Sequence, residues 1–162
     1  MITIHPTARV SPLADIETST RGTRIEIGAD SVIDAFVKIK PVGGSGDLVV
    51  GERCYINSGS VLYTGNGIRI GNDCLIAANC TFAPVNHAYR RRDTTIRAQR
   101  FEASKGGIVL EDDVWIGANS VVLDGAWLET GVVIAAASMV RGRLAAYGVY
   151  GGNPITKLGE RT

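Results

Sequence analysis

The sequence predicts an all-β protein, a parallel β-helix built from six-residue repeats, and three observations support this. An aliphatic residue returns every six positions, a small residue follows it four places later, and glycine makes up 20 of the 162 residues. A fixed short period is the signature of a solenoid, in which each repeat forms one short strand and one corner. The glycine content fits many tight corners in an ordered chain.

The repeat is clearest over residues 110–145, which read LEDDVW, IGANSV, VLDGAW, LETGVV, IAAASM and VRGRLA without a break. Further copies begin at Ile27, Val50 and Ile70, and a weaker one begins at Ile4. The pattern therefore covers nearly the whole chain, and we expect one β-helix domain over residues 1–162.

Three six-residue units close one triangular turn of roughly 18 residues, so residues 18 apart should stack in successive coils. We expect Ile116 to stack on Ile134 and Val122 to stack on Val140. Each coil then covers the backbone groups of the next, and the stacked aliphatic side chains form the core.

Four interruptions of the six-residue frame predict loops, at residues 16–27, 41–47, 65–67 and 88–107. The last is the longest, because the frame stops after His87 and resumes only near Leu110. We expect an external loop over about 88–107 and a C-terminal tail over about 147–162. Loops of this length in a compact domain usually carry function or are mobile.

Composition excludes several classes of protein. Lys and Arg number 17 against 16 Asp and Glu, so the net charge of +1 does not predict a nucleic-acid-binding surface. No stretch approaches the ~18 apolar residues of a membrane span, and MITIHPTARVSP lacks the features of a secretory signal. We expect no membrane insertion.

The three cysteines occupy structural positions of the repeat. Cys54, Cys74 and Cys80 each take the fifth place of a hexad, and no CxxC pair is present. We therefore interpret them as small core residues, and an odd number of unpaired cysteines favours a reducing compartment, the cytoplasm.

Four features together resemble the hexapeptide-repeat acyltransferase superfamily: the repeats, Asn86-His87 before the long loop, the VWIGAN and IAAASMV segments, and the final GNP. The resemblance is closest to the O-acetyltransferases of the maltose, galactoside and polysaccharide-synthesis type. It implies a left-handed parallel β-helix, a homotrimer and acetyl-CoA as co-substrate, with no metal.

The resemblance also implies catalytic roles for three residues. His87 matches the catalytic histidine of the family, and an imidazole of ordinary pKa about 6.5 can accept a proton from the attacking acceptor. The only other histidine, His5, lies in the first irregular repeat, and we expect it at the surface. Asn86 is expected to orient the acceptor or His87, and the backbone N–H of Ala118 to stabilise the oxyanion.

Coenzyme A is expected to lie in a groove between coils, at positions that match the family. The expected cofactor-binding residues are Trp115, Gly117, Ala118, Ala136, Arg141, Pro154 and Lys157. Trp115 would flank the pantetheine arm, and Gly117 would let the thioester approach the backbone. Ala118 and Ala136 would contact the pantetheine amides. Arg141 and Lys157 would lie near the phosphates, with Pro154 beside the adenine.

Three functions remain open from the sequence. The favoured one is O-acetylation of a carbohydrate hydroxyl, in surface polysaccharide or O-antigen synthesis, with a sugar, nucleotide-sugar or polysaccharide acceptor. The second is N-acetylation of an amino sugar or nucleotide-amino sugar, and the third is a non-catalytic β-helix. The loop after His87 carries six cations against two acids, which is typical either of a solvated surface or of a clamp for an anionic acceptor or for CoA phosphates.

Overall fold

A computed structural model describes residues 1–162 as three parallel sheets that the chain visits in the same order in each coil. The first sheet contains β1 (Ile2–Ile4), β4 (Ile25–Ile27), β7 (Leu48–Val50), β10 (Ile68–Ile70), β13 (Ile108–Leu110), β16 (Trp127–Leu128) and β19 (Arg143–Leu144). The second contains β2 (Arg9–Val10), β5 (Val32–Ile33), β8 (Tyr55–Ile56), β11 (Leu75–Ile76), β14 (Trp115–Ile116), β17 (Val133–Ile134), β20 (Gly148–Gly151) and β21 (Thr156–Glu160). The third contains β3 (Asp15–Ile16), β6 (Lys38–Lys40), β9 (Val61–Tyr63), β12 (Thr81–Ala83), β15 (Val121–Leu123) and β18 (Met139–Val140).

The predicted stacking of residues 18 apart is confirmed in the most regular part of the chain. Ile116 pairs with Ile134 in the second sheet, and Val122 pairs with Val140 in the third. The earlier coils are longer because corners carry inserted residues, and the last coil is shorter, since Trp127 pairs with Arg143 and Val133 with Val149. The insertion over residues 84–107 is the largest, since the chain leaves β12 at Ala83 and returns to the first sheet only in β13.

The core is a set of aliphatic ladders that run along the axis of the helix. The isoleucines of the second sheet are fully buried, and they are Ile33, Ile56, Ile76, Ile116 and Ile134. Because strands alternate faces, each inward isoleucine is followed or preceded by an outward side chain. Burying each isoleucine stabilises the fold by about 1.5–3 kcal/mol, so the ladders supply most of the driving force.

The cysteines are core residues, as predicted. Cys54, Cys74 and Cys80 are buried free thiols at the corners of successive coils. Cys54 Sγ donates to the carbonyl of Gly71 at 3.0 Å, and Cys80 Sγ donates to that of Gly117 at 3.3 Å. Burial raises the pKa of the Cys80 thiol, which keeps it protonated and unreactive at neutral pH.

The long insertion and the C-terminus both have defined secondary structure. The insertion contains the only helix, α1 (Ile96–Gln99), which has four residues, so no helix here could cross a membrane. At the C-terminus, β20 still pairs in parallel with β17, and β21 folds back antiparallel onto β20. The reversed strand pairs with the free edge of β20 at the end of the second sheet, which reduces the risk of edge-to-edge association.

Candidate functional site

His87 lies where the chain leaves the third sheet, and a short antiparallel contact holds it there. The Ala88 N–H donates to the Arg100 carbonyl at 2.9 Å, and the Glu102 N–H donates to the Asn86 carbonyl at 2.8 Å. The His87 and Phe101 rings pack with their centroids 4.8 Å apart. The two ends of the loop thus meet at the histidine, although its side chain remains exposed.

The hydrogen bond of the His87 ring indicates which nitrogen can act as a base. Nδ1 lies 3.3 Å from the Arg100 carbonyl oxygen. A carbonyl only accepts hydrogen bonds, so in the neutral ring Nδ1 carries the proton and Nε2 keeps its lone pair. Arg100 has φ 62° and ψ −131°, a conformation that favours glycine, and such strain is often found at functional sites.

Side-chain contacts give the loop a fixed conformation. The Gln99 amide accepts from the Arg91 N–H and donates to the Arg91 carbonyl, both at 3.0 Å. The Arg91 guanidinium forms an ion pair with Asp93 at 2.6 Å, which lowers the pKa of that carboxyl. The α1 helix is capped by Thr95, whose hydroxyl accepts from the Ala98 N–H.

Asp124 anchors the returning end of the loop to the coil. Its carboxylate is only 5% exposed and accepts from the N–H groups of Lys105 and Gly107, at 2.8 and 2.9 Å. The Asn66 amide donates to the same carboxylate at 3.3 Å. Hydrogen bonds to an ionised group are stronger than neutral ones, so this one residue fixes the exit of the loop.

We expect Asp124→Ala to loosen the loop without unfolding the coil. The substitution leaves two backbone N–H donors and one amide without an acceptor, at a cost of about 1–3 kcal/mol. Limited digestion with trypsin measures the effect, because the loop is rich in arginine. Cleavage within residues 88–106 should be several times faster than in the native chain, and an unchanged rate would contradict the anchoring role.

Two grooves meet at His87. The larger one, about 790 Å³, is named here the arginine groove, and its lining residues are His87, Thr95, Ile96, Arg97, Ala98, Arg100 and Phe101. The smaller one, about 420 Å³, is named the corner groove, and its lining includes Asn86, His87, Arg141, Lys105 and Asp124. The structure therefore brings together three of the predicted site residues, which are Asn86, His87 and Arg141.

The other predicted residues lie at a different corner of the coil. Trp115 is half exposed on the outer face of β14, and Ala118 and Ala136 follow β14 and β17, between the second and third sheets. His87 follows the third sheet instead. A three-residue strand crosses about 10 Å at roughly 3.3 Å per residue. Within one chain, no thioester can touch both His87 and the Ala118 corner.

Ala118 and Ala136 present backbone N–H groups that have no acceptor within the chain. The backbone N–H groups next to them do have acceptors. The Gly117 N–H donates to the Ile134 carbonyl at 2.8 Å, and the Ala137 N–H donates to the Ala118 carbonyl at 2.8 Å. Unpaired N–H groups at a corner can donate to a ligand carbonyl. Both residues can therefore serve the donor role that the sequence assigns to them.

The structure gives a reason for glycine at position 117 that the sequence did not reveal. A Cβ built there would lie 2.4 Å from the Ala136 nitrogen and 2.7 Å from the Ile134 carbonyl oxygen. The missing side chain therefore lets one coil approach the next. A larger residue at Gly117 would disturb the coil itself, so it cannot serve to test contact with the thioester.

Pro154 and Lys157 lie at the C-terminal end and line neither groove at His87. Both are exposed, and the Lys157 ammonium forms an ion pair with Glu160, which raises the pKa of Lys157. Their expected contacts with coenzyme A remain predictions. No group of three or more His, Cys, Asp or Glu side chains that could hold a metal ion is present.

Sequence reasoning missed three residues that shape the site, namely the Arg100 carbonyl, Phe101 and Asp124. Asp124 has a weak signal, since an acid stands inside the otherwise regular VLDGAW hexad. Phe101 is one of three phenylalanines in the chain and the only one in the loop. No sequence signal could reveal the backbone conformation of Arg100.

Comparison with known proteins supports the repeat assignment. The family model for the hexapeptide repeat of succinyl-transferase matches residues 48–82 and 107–140. The chain is 30% identical to a chloramphenicol acetyltransferase of Klebsiella aerogenes over 70% of its own length and 51% of the relative. It is 27% identical to WbbJ of Escherichia coli strain K12, named for lipopolysaccharide O-acetyl transfer, over 82% of its length and 67% of that protein. The chain spans between half and two thirds of the length of the first curated relatives that it matches.

Solved structures share the fold over nearly the whole chain. A point mutant of AntD, an N-acyltransferase from Bacillus cereus in complex with dTDP-4-amino-4,6-dideoxyglucose and coenzyme A, gives a TM-score of 0.82 at 25% identity. That alignment covers 99% of this chain and 84% of the other. A hexapeptide-repeat acetyltransferase of Vibrio cholerae with bound acetyl coenzyme A gives 0.63 at 23% identity, over 99% of this chain and 71% of that one.

These likenesses confirm the fold that the repeat predicts. The two matched stretches of the family model lie on either side of the long loop. The chain carries the hexapeptide repeat and folds as a left-handed parallel β-helix, as hexapeptide-repeat acetyltransferases of similar structure do.

Proposed function

We propose that the protein transfers an acetyl group from acetyl-CoA to a hydroxyl of a carbohydrate, in surface polysaccharide or O-antigen synthesis. The observation that carries the proposal is the His87 ring, whose Nδ1 is held by the Arg100 carbonyl and whose Nε2 is free to accept a proton. Two grooves open beside it, where an acceptor can bind. The similarity to WbbJ favours a hydroxyl acceptor on a surface sugar.

In the proposed reaction, His87 Nε2 takes the proton from the acceptor hydroxyl as its oxygen attacks the thioester carbonyl carbon. The carbonyl oxygen gains negative charge and accepts a hydrogen bond from the Ala118 N–H. When the carbon–sulfur bond breaks, the His87 imidazolium gives its proton to the departing thiolate. The products are the acetyl ester and coenzyme A, and His87 is again neutral.

The separation of the two corners means that this site needs two copies of the chain. His87 and Asn86 would come from one copy, and Trp115, Ala118 and Ala136 from its neighbour. Such a contact joins two different surfaces, and repeated around an axis it can close as a ring. We propose the homotrimer of the family, with three sites between neighbouring chains.

The proposed donor site follows the unpaired N–H groups of the neighbouring copy. Ala118 and Ala136 would donate to the carbonyls of the thioester and the pantetheine arm, and Trp115 would flank the arm. Lys157 and Pro154 remain our candidates for the phosphates and the adenine. Arg141 lies beside His87 in the corner groove. Because the phosphates of coenzyme A lie at the far end of the pantetheine arm from the thioester, this position does not favour the phosphate contact that the sequence predicts for Arg141.

The second candidate is N-acyl transfer to an amino sugar, and the likeness to AntD favours it. That structure is of an N-acyltransferase with a nucleotide-linked amino sugar bound. The same His87 base could take a proton from an amine. A non-catalytic β-helix would leave the ordered loop and the oriented imidazole without a role. We place the reaction in the cytoplasm, in keeping with three free thiols.

An assay of thiol release tests the proposal. Acetyl-CoA is incubated with the protein and a panel of sugars and amino sugars, and free thiol is followed with a chromogenic disulfide. We expect acceptor-dependent release, and a product whose acetyl group is removed by hydroxylamine, because esters are cleaved under conditions that spare amides. A stable amide product would instead establish the second candidate. No release with any acceptor would contradict both.

A further inference from the structure

Some cationic side chains of the long loop form ion pairs with acids, and others do not. Arg91 pairs with Asp93 at 2.6 Å, and Arg90 reaches Glu102 at 4.0 Å. The guanidinium groups of Arg92, Arg97 and Arg100 have no acidic partner. Three unmatched arginines within nine residues give the loop a local positive charge.

Two of the three unmatched arginines line the groove that contains His87. Arg97 and Arg100 both belong to the arginine groove, whereas Arg92 does not. The volume of about 790 Å³ lies within the ~300–1,000 Å³ that is usual for small-molecule sites. A ligand that fills this groove would therefore lie against His87, Arg97 and Arg100.

The rest of the lining is suited to a sugar ring. The exposed side chains of Ile96 and Phe101 provide an apolar wall, with relative exposures of 55% and 44%. Thr95 lines the same groove, and its hydroxyl, which accepts from the Ala98 N–H, still has a proton to donate to a ligand. Guanidinium groups present a planar fork of donors that matches phosphate oxygens. The groove thus combines a surface for a sugar with a site for an oxyanion.

The anionic group that would bind in this groove is not a phosphate of coenzyme A. A thioester that reacts near His87 places the CoA phosphates at the far end of the pantetheine arm. Arg97 and Arg100 share one groove with His87, so they lie within reach of the acceptor. The charge that they would bind therefore belongs to the molecule that receives the acetyl group.

We propose that the acceptor is a sugar carried on a phosphate or diphosphate, and that Arg97 and Arg100 bind this group. The inference rests on the proposed function, because it names the substrate class of the same site. It excludes free neutral sugars as the preferred acceptors. The phosphate anchors the acceptor while one sugar hydroxyl is turned toward His87.

Calorimetry on the 162-residue protein tests the proposal with four probes: glucose, glucuronic acid, glucose 1-phosphate and dTDP-glucose. We expect the two phosphate-bearing probes to bind at least about tenfold more tightly than glucose, since charge-assisted hydrogen bonds are strong. Equal binding of glucose and glucose 1-phosphate would overturn the proposal. Equal binding of glucuronic acid and glucose 1-phosphate would show a general anion site and would also overturn it.

Three variants assign the effect to the groove. Arg97→Ala should weaken binding of glucose 1-phosphate about tenfold or more, because a guanidinium–phosphate pair is lost. Arg100→Gly should do the same, and glycine suits the backbone conformation there, so the carbonyl that holds His87 is kept. Arg92→Ala removes the same charge outside the groove and should change nothing. An equal loss with Arg92→Ala would show non-specific attraction and contradict the assignment.

The two proposals can fail separately. If acetyl transfer occurs but phosphate-bearing acceptors have no advantage, only the inference about Arg97 and Arg100 is wrong. If phosphate-bearing sugars bind through these arginines but no acetyl transfer occurs with any acceptor, the proposed function is wrong and the binding site stands.

Discussion

His87→Ala should lower turnover with acetyl-CoA by at least ~10²-fold while the coil folds normally, because general base catalysis contributes about that much. The ring makes one hydrogen bond and one aromatic contact, both at the exposed base of the loop. None of the buried ladders involves it. Steady-state rates and circular dichroism on the same preparation measure the two effects.

Two further variants make the result specific. His87→Asn keeps an N–H donor for the Arg100 carbonyl and lacks a basic nitrogen, so it should be as inactive as His87→Ala. His5→Ala removes the only other imidazole, which is exposed and bonded to Thr7 at 3.0 Å, and should be fully active. A His87→Asn enzyme with near-native turnover would remove His87 from the chemistry.

Ala118→Pro should lower turnover by about 10²–10³-fold, because it deletes only the N–H that we assign to the oxyanion. This N–H has no acceptor in the chain, so proline costs no internal hydrogen bond. The next residue, Asn119, has φ 58°, as in a type II turn, where proline is favoured one position earlier. Pro12 already occupies the equivalent place in the first coil.

A matched substitution elsewhere in the helix controls for the backbone change. Ala29 lies in a Gly-Ala-Asp-Ser corner like the Gly-Ala-Asn-Ser corner of Ala118, and Asp30 has φ 57°. The Ala29 N–H also has no acceptor within the chain. Ala29→Pro should retain native turnover and a native melting temperature. Equal rates for the two proline variants would contradict the oxyanion role of Ala118.

The six-residue period was sufficient to predict the coil and its register. Ile116 on Ile134 and Val122 on Val140 follow from spacing alone, because every rung of a solenoid repeats the same geometry. The handedness came from resemblance to a family, since a period carries no chirality. Cys54, Cys74 and Cys80 were predicted to lie in the core because each takes the fifth place of a hexad, and all three are buried.

The site was harder to predict because it depends on parts of the chain that break the period. His87 could be singled out, but its contact with Arg100 depends on how an irregular loop folds back. The separation of His87 from Ala118 follows from which sheet each residue leaves. The sequence assigned Gly117 to the coenzyme A site, whereas the structure shows that packing between coils requires a glycine there.

Mixing the two inactive variants tests most directly whether one active site is built from two chains. His87→Ala and Ala118→Pro proteins would be unfolded together in equal amounts, refolded and assayed for thiol release. If each site takes His87 from one copy and Ala118 from the next, random assembly restores about one quarter of the sites, and activity should return to about that fraction of native. Activity that stays at the level of the separate variants would contradict the shared site.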